Sequence, residues 1–92
     1  MADIKVEFYG IPRQRAGVAM LDVQLEPSEA TLGQLMIHLA AQLPDLATDC
    51  IVEDRLADGF VANVNGTQFV QDPGATLPPN CSILIMSADA GG

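Results

Sequence analysis

Apolar and polar side chains alternate near the start of the chain. Ile4, Val6 and Phe8 are interleaved with Lys5, Glu7 and Tyr9. A period of two puts every second side chain on one face, so this segment reads as a half-buried strand. Gly10-Ile11-Pro12 breaks the pattern, and a polar loop through Arg13, Gln14, Arg15 and Gly17 is expected to follow. Leu21, Val23 and Leu25 then alternate with Asp22, Gln24 and Glu26. That is a second strand, and the two make a hairpin ending near Glu26.

The period changes after Pro27-Ser28-Glu29-Ala30. Leu32, Leu35, Met36, Leu39, Ala40 and Leu43 fall three and four apart, which is one face of an amphipathic helix. Thr31 and Gln34 have the spacing of a capping box, in which the hydroxyl accepts from the N3 amide and the glutamine reaches back. Pro44 is expected to end the helix. Residues 45–59 carry the weakest pattern. Asp45-Leu46-Ala47 and Ile51-Val52-Glu53 suit a short helix or turn, and Asp49, Glu53, Asp54 and Asp58 make the stretch acidic. Those carboxylates lack the alternating ligands and fixed glycine of a calcium loop, so a solvated acidic loop is expected and no metal site.

Phe60 to Val64 reads as a strand. Asn65-Gly66 is a strong signal for a hairpin turn, because both central residues of a type I′ turn need positive φ. Thr67-Gln68-Phe69-Val70 returns. Asp72-Pro73-Gly74 and Pro78-Pro79-Asn80 punctuate a loop in which Leu77 is expected to plug the core. The last strand runs from Cys81 to about Met86. Ile83, Leu84, Ile85 and Met86 are all apolar, which suits a strand covered on both faces or central in its sheet.

The order of elements, two strands, a helix, then further strands, implies an α+β fold. If the last strand lies beside the first, the two run parallel. The arrangement is then a β-grasp, as in ubiquitin: a mixed sheet of four to five strands with one main helix packed on one face. Residues 1–86 form that domain and 87–92 a C-terminal tail.

Composition narrows the function. Ninety-two residues make one domain. Four basic residues against twelve acidic ones give a net charge of −8, which argues against nucleic-acid binding, since phosphate contacts need a basic footprint. An acidic chain suits a protein partner with a basic docking face, but a charge of this size also serves simply to keep a small domain soluble, which is explanation enough by itself. No apolar run approaches the length needed to cross a membrane. Met1-Ala2-Asp3-Ile4-Lys5 lacks the basic start and apolar core of a signal peptide, so a cytoplasmic location is expected. Cys50 and Cys81 form no C-x-x-C pair, and packing as small hydrophobes is their expected role. His38 is the sole histidine, placed on the helix between Gln34 and Gln42 without an acid–base partner. No side chain stands out as catalytic.

The sequence closes on Ser87-Ala88-Asp89-Ala90-Gly91-Gly92. Glycine lacks a Cβ, so such a segment can enter a narrow channel and present a terminal carboxylate. Six extended residues reach roughly 20 Å.

Taken in order, the opening strand through Phe8-Tyr9-Gly10, the Ala30-Thr31-Leu32-Gly33-Gln34-Leu35 helix start and Val64-Asn65-Gly66 resemble the ubiquitin-like sulfur carriers of the MoaD/ThiS type. The Leu77 plug, the apolar last strand and the closing Gly91-Gly92 extend that resemblance nearly end to end. It implies a carrier, not an enzyme, although it could serve as the small subunit of a synthase such as molybdopterin synthase. An adenylating activating enzyme would act on the Gly92 carboxylate, and a sulfur donor would turn the adenylate into a thiocarboxylate. Asp89, Ala90, Gly91 and Gly92 would thread the active site of a MoaE-like or other sulfur-accepting synthase. The chain itself would bind no cofactor, and the ATP and magnesium would belong to the activating enzyme. Two departures leave the acceptor open. The residues before the diglycine contain no proline, unlike many molybdopterin synthase small subunits, and the chain is long for a thiamine-type carrier. The same tail would serve a ubiquitin-like modifier joined through Gly92 to lysines, or be dispensable in a non-covalent binding module.

Overall fold

Strand β1 (Ala2–Phe8) buries Ala2, Ile4, Val6 and Phe8 on one face, as the alternation requires. It pairs antiparallel with β2 (Met20–Leu25), where Val23 and Leu25 point the same way. The computed structural model describes residues 1–88. Within them the main sheet has five strands in the order β2-β1-β7-β5-β6. The additional members are β5 (Phe60–Val64), β6 (Gln68–Val70) and β7 (Ser82–Ser87). β1 and β7 are parallel and every other neighbouring pair is antiparallel. This is the expected β-grasp.

Helix α2 (Leu32–Gln42) lies on the core face of the sheet, with Leu32, Leu35, Met36 and Leu39 buried. Its first four amides all find acceptors, which removes the usual cost of a helix start. Leu32 N–H donates to Ala75 O at 3.0 Å, Gly33 N–H to Pro73 O at 2.8 Å and Leu35 N–H to Thr31 O at 3.0 Å. Gln34 N–H donates to Thr31 Oγ1 at 3.2 Å. The reciprocal half of the capping box is replaced by a backbone bond, Thr31 N–H to Glu29 O at 2.9 Å. Leu77 is buried as the expected plug, and its N–H holds Ala30 O at 2.8 Å.

Two segments differ from their reading as loops. Residues Ile11–Ala16 form a short helix, α1, where a polar loop was expected. Gly10 (φ 64) opens it, Pro12 sits in its first turn, and Gly17 in the left-handed region closes it with a bond to Arg13 O. A proline start and glycine stop is a normal helix frame. Six residues carry too little apolar periodicity to announce it, and packing on neighbouring elements stabilises it. The second segment is the acidic stretch. Pro44 ends α2 as expected but also begins α3 (Pro44–Cys50), whose Leu46 and Cys50 enter the core. β3 (Ile51–Val52) and β4 (Arg55–Leu56) then pair as a two-stranded arm, with Glu53 at φ 57 in the turn. α3 is the short helix that Asp45-Leu46-Ala47 suited, while Glu53 and Asp54 turn a two-stranded arm where a loop was expected, with Asp49 on α3 and Asp58 beyond β4.

The Asn65-Gly66 turn forms with both residues at positive φ (55 and 73). Thr67 N–H closes it on Val64 O, and Thr67 is one residue extra because Val64 pairs with Gln68.

Candidate functional site

The last strand decides where the end of the chain leaves the domain. β7 lies between β1 and β5 and pairs along both edges. Ile83 and Ile85 are fully buried on the α2 side, in register with Val6 and Phe8 of β1. Pairing continues to Ser87, which stands opposite Phe60, and Ala88 N–H donates to Gly59 O at 2.7 Å. The strand is thus bonded on two sides and followed by one further anchor before Asp89. Asp89, Ala90, Gly91 and Gly92, the residues expected to work in a partner's active site, lie outside the described residues.

The side chains opposite the core set project from the other face of the sheet. The ladder puts Met20, Glu7, Leu84, Asn63 and Phe69 in one row across all five strands. Met86 and Val61 form the neighbouring row, nearer the exit of β7. Phe69 and Met20 are exposed, while Leu84, Met86 and Val61 are half-buried. Lys5, Asp22, Asp3 and Gln24 line the far end. The result is a largely apolar patch with Glu7 set between Met20 and Leu84 and a charged margin, adjoining the root of the tail. Such a composition suits a protein interface, with an apolar centre and polar rim.

Tyr9, just past β1, is exposed, whereas Phe60 packs partly against the core. Phe69, 59% exposed, escaped the sequence reading. The signal was present: once Asn65-Gly66 sets the turn, counting back along β6 places Phe69 opposite Asn63, away from Ala62 and Val64. Asn63 is 7% exposed, and its Oδ1 has no hydrogen-bond partner among the described residues.

A cleft of about 480 Å³ lies at the tail's root, lined by Leu32, Arg55, Leu56, Phe60, Val70 and Ala88 among others. Arg15 and Asp49 form an exposed ion pair at 2.7 Å that links α1 to α3. Cys50 and Cys81 are both buried and unpaired, and burial pushes both thiols up from their ordinary values. Asp49 pushes Cys50 the same way while Arg15 opposes it. Among the described residues no group of three or more His, Cys, Asp or Glu could hold a metal ion, and no helix is long and apolar enough to cross a membrane.

This architecture is the ubiquitin-like β-grasp. No protein-family model and no curated protein matches the chain, so its likenesses come from solved structures. The crystal structure of small archaeal modifier protein 1 from Haloferax volcanii superposes with a TM-score of 0.78 at 18% identity, covering 95% of this chain and 98% of that one. A Pyrococcus furiosus protein described as molybdopterin converting factor subunit 1 gives 0.72 at 23% identity, with 95% and 98% covered. Small archaeal modifier protein 1 from Methanosarcina acetivorans gives 0.72 at 20%, with 100% and 98% covered. At these identities the likeness establishes the fold. The neighbours agree with the MoaD/ThiS-type resemblance of the sequence.

Proposed function

We propose that the protein is a sulfur carrier that works through the carboxylate of Gly92. The observation that supports this is the placement of β7. It is the central strand, held by β1 and β5, and it leads directly into a sequence closing on Gly91-Gly92. A firm anchor beside a short glycine-ended segment suits delivery of a terminal carboxylate to another protein's site. The carboxylate is a poor electrophile. In the first step its oxygen attacks the α-phosphorus of ATP on an activating enzyme, and pyrophosphate leaves. Hydrosulfide from the sulfur donor then attacks the acyl carbon, the acyl C–O bond breaks, AMP leaves carrying that oxygen, the S–H proton is lost, and a thiocarboxylate remains. The carrier contributes the acyl group and the docking surface. Magnesium and catalytic side chains belong to the activating enzyme. A synthase, molybdopterin synthase or one for another small metabolite, then takes up the sulfur.

The names of the neighbours favour a second reading as well. Two of the three are modifiers, and a modifier uses the same adenylate but transfers Gly92 to a lysine amine. Fold does not choose between these uses. ATP–pyrophosphate exchange with the candidate activating enzyme tests the step they share: exchange occurs with the full chain and is lost when Gly91 and Gly92 are deleted. Exchange that survives the deletion refutes both readings and favours a binding module. Lysine-linked adducts in cell lysate, lost with Gly92, select the modifier over the carrier.

A further inference from the structure

The apolar patch on the open face of the sheet has a polar atom sealed inside it. Asn63 stands in the ladder directly between Leu84 and Phe69, flanked in the next row by Val61 and Met86. Directly opposed residues on one face have Cβ atoms about 5 Å apart, so these side chains wall the amide in. Asn63 is only 7% exposed, and its Oδ1 is sheltered with no donor among the described residues. Buried side-chain oxygens are nearly always satisfied, and one left without a donor destabilises the free protein. A valine here would suit a strand better and leave no polar atom unmatched.

We propose that Asn63 is a specificity-determining residue for docking, its Oδ1 accepting a hydrogen bond from the activating enzyme at the centre of the apolar patch. The occupant is named by reach and by chemistry. Ser87 pairs with Phe60 and Ala88 N–H is held by Gly59 O, so only the four residues after Ala88 are left to bridge, at most roughly 14 Å, and the enzyme that acts on Gly92 must lie close to the end of β7, beside the Met86–Val61 row. The group it presents is an N–H or O–H donor ringed by apolar side chains. Phe69 is on the three-residue edge strand β6 and is largely exposed, so its ring can turn aside at small cost and admit the donor. An enzyme surface that is purely apolar here leaves the amide unmatched and is rejected, because burying an unpaired polar group weakens binding.

This rests on the carrier or modifier reading, and the experiment separates the two failures. Asn63→Val and Asn63→Ala are compared with the wild-type chain in the activating enzyme's ATP–pyrophosphate exchange, alongside thermal unfolding of each free protein. Both variants are expected to keep or raise Tm, to raise KM for this protein about tenfold, and to leave kcat unchanged. A lowered Tm with unchanged KM makes Asn63 structural and overturns the inference. Unchanged KM with altered self-association in sedimentation assigns the face to a second copy and also overturns it. Wild-type chain that supports no exchange removes the carrier and modifier readings together with this one. Wild-type exchange with both variants at the wild-type KM removes this one alone.

Discussion

The two faces of β7 differ in burial, and neighbouring residues separate them. Ile85 is fully buried between the sheet and α2, in register with Phe8 and Ala62. Leu84, one residue earlier, is half-buried on the open face. Replacing a fully buried isoleucine by alanine removes three carbons from a packed core and leaves a cavity, for a loss of about 3–4 kcal/mol. A domain of this length has a total stability of about 5–14 kcal/mol, so Ile85→Ala removes a large share of it. Leu84→Ala withdraws a side chain already in partial contact with water and lined on one side only, so its loss is about 1 kcal/mol. Urea unfolding followed by circular dichroism reads both as shifts in the midpoint at constant slope. In the exchange assay the ranking reverses. At a temperature where both variants are folded, Leu84→Ala raises KM for the protein about tenfold while Ile85→Ala stays near wild type. Equal destabilisation by the two substitutions would refute the assignment of faces. A Leu84→Ala protein with normal KM would refute the use of the open face in docking.

Other outcomes follow from particular contacts. Thr31→Ala loses the side-chain acceptor for Gln34 N–H and is expected to lower stability by about 1 kcal/mol in urea unfolding. Gly33→Ala is expected to cost about 1–2 kcal/mol despite alanine's better helix propensity. Its Cβ would stand 3.0 Å from Pro73 O, which already accepts the Gly33 N–H at 2.8 Å and cannot retreat without weakening that bond. Asp49→Asn breaks the exposed pair with Arg15 and is expected to change stability by less than about 1 kcal/mol, an effect that fades in high salt. Burial raises both thiols above their ordinary value of 9.0, so above that pH the unfolded chain releases protons that the folded chain retains. Stability is therefore complete below the unfolded thiol value and falls as pH rises through the folded ones. Urea midpoints across this range should show the fall, and replacing Cys50 and Cys81 by alanine should flatten it.

Legibility followed the strength of periodicity. β1, β2 and α2 repeat a strict pattern over several residues, and their buried faces are those the pattern names. Of the two readings of the continuous apolar run of β7, the central strand holds and cover on both faces does not, since Leu84 and Met86 lie half-buried on the open face. α1 was hidden because its six residues hold no apolar repeat, and its Gly10, Pro12 and Gly17 frame also describes a turn. The β3–β4 arm was hidden because two-residue strands are shorter than the period they would display. Its Glu53 occupies positive φ, where glycine or asparagine is the usual signal. Phe69 and Asn63 required register, which the sequence contains only through the Asn65-Gly66 turn and the odd residue Thr67. The tail supplied an expectation, since two glycines after a central strand suggest a delivered carboxylate, and Asp89 to Gly92 lie outside the described residues. Its acceptor is named by no residue of the chain.

The central claim is that sulfur is carried on Gly92. The direct measurement is the intact mass of the purified protein after incubation with its activating enzyme, ATP and a sulfur donor, with fragmentation to locate any change. The expected result is a gain equal to the difference between sulfur and oxygen, confined to the C-terminal residue and absent when ATP is omitted. An unchanged mass, with the same enzyme shown to adenylate Gly92, would contradict the account.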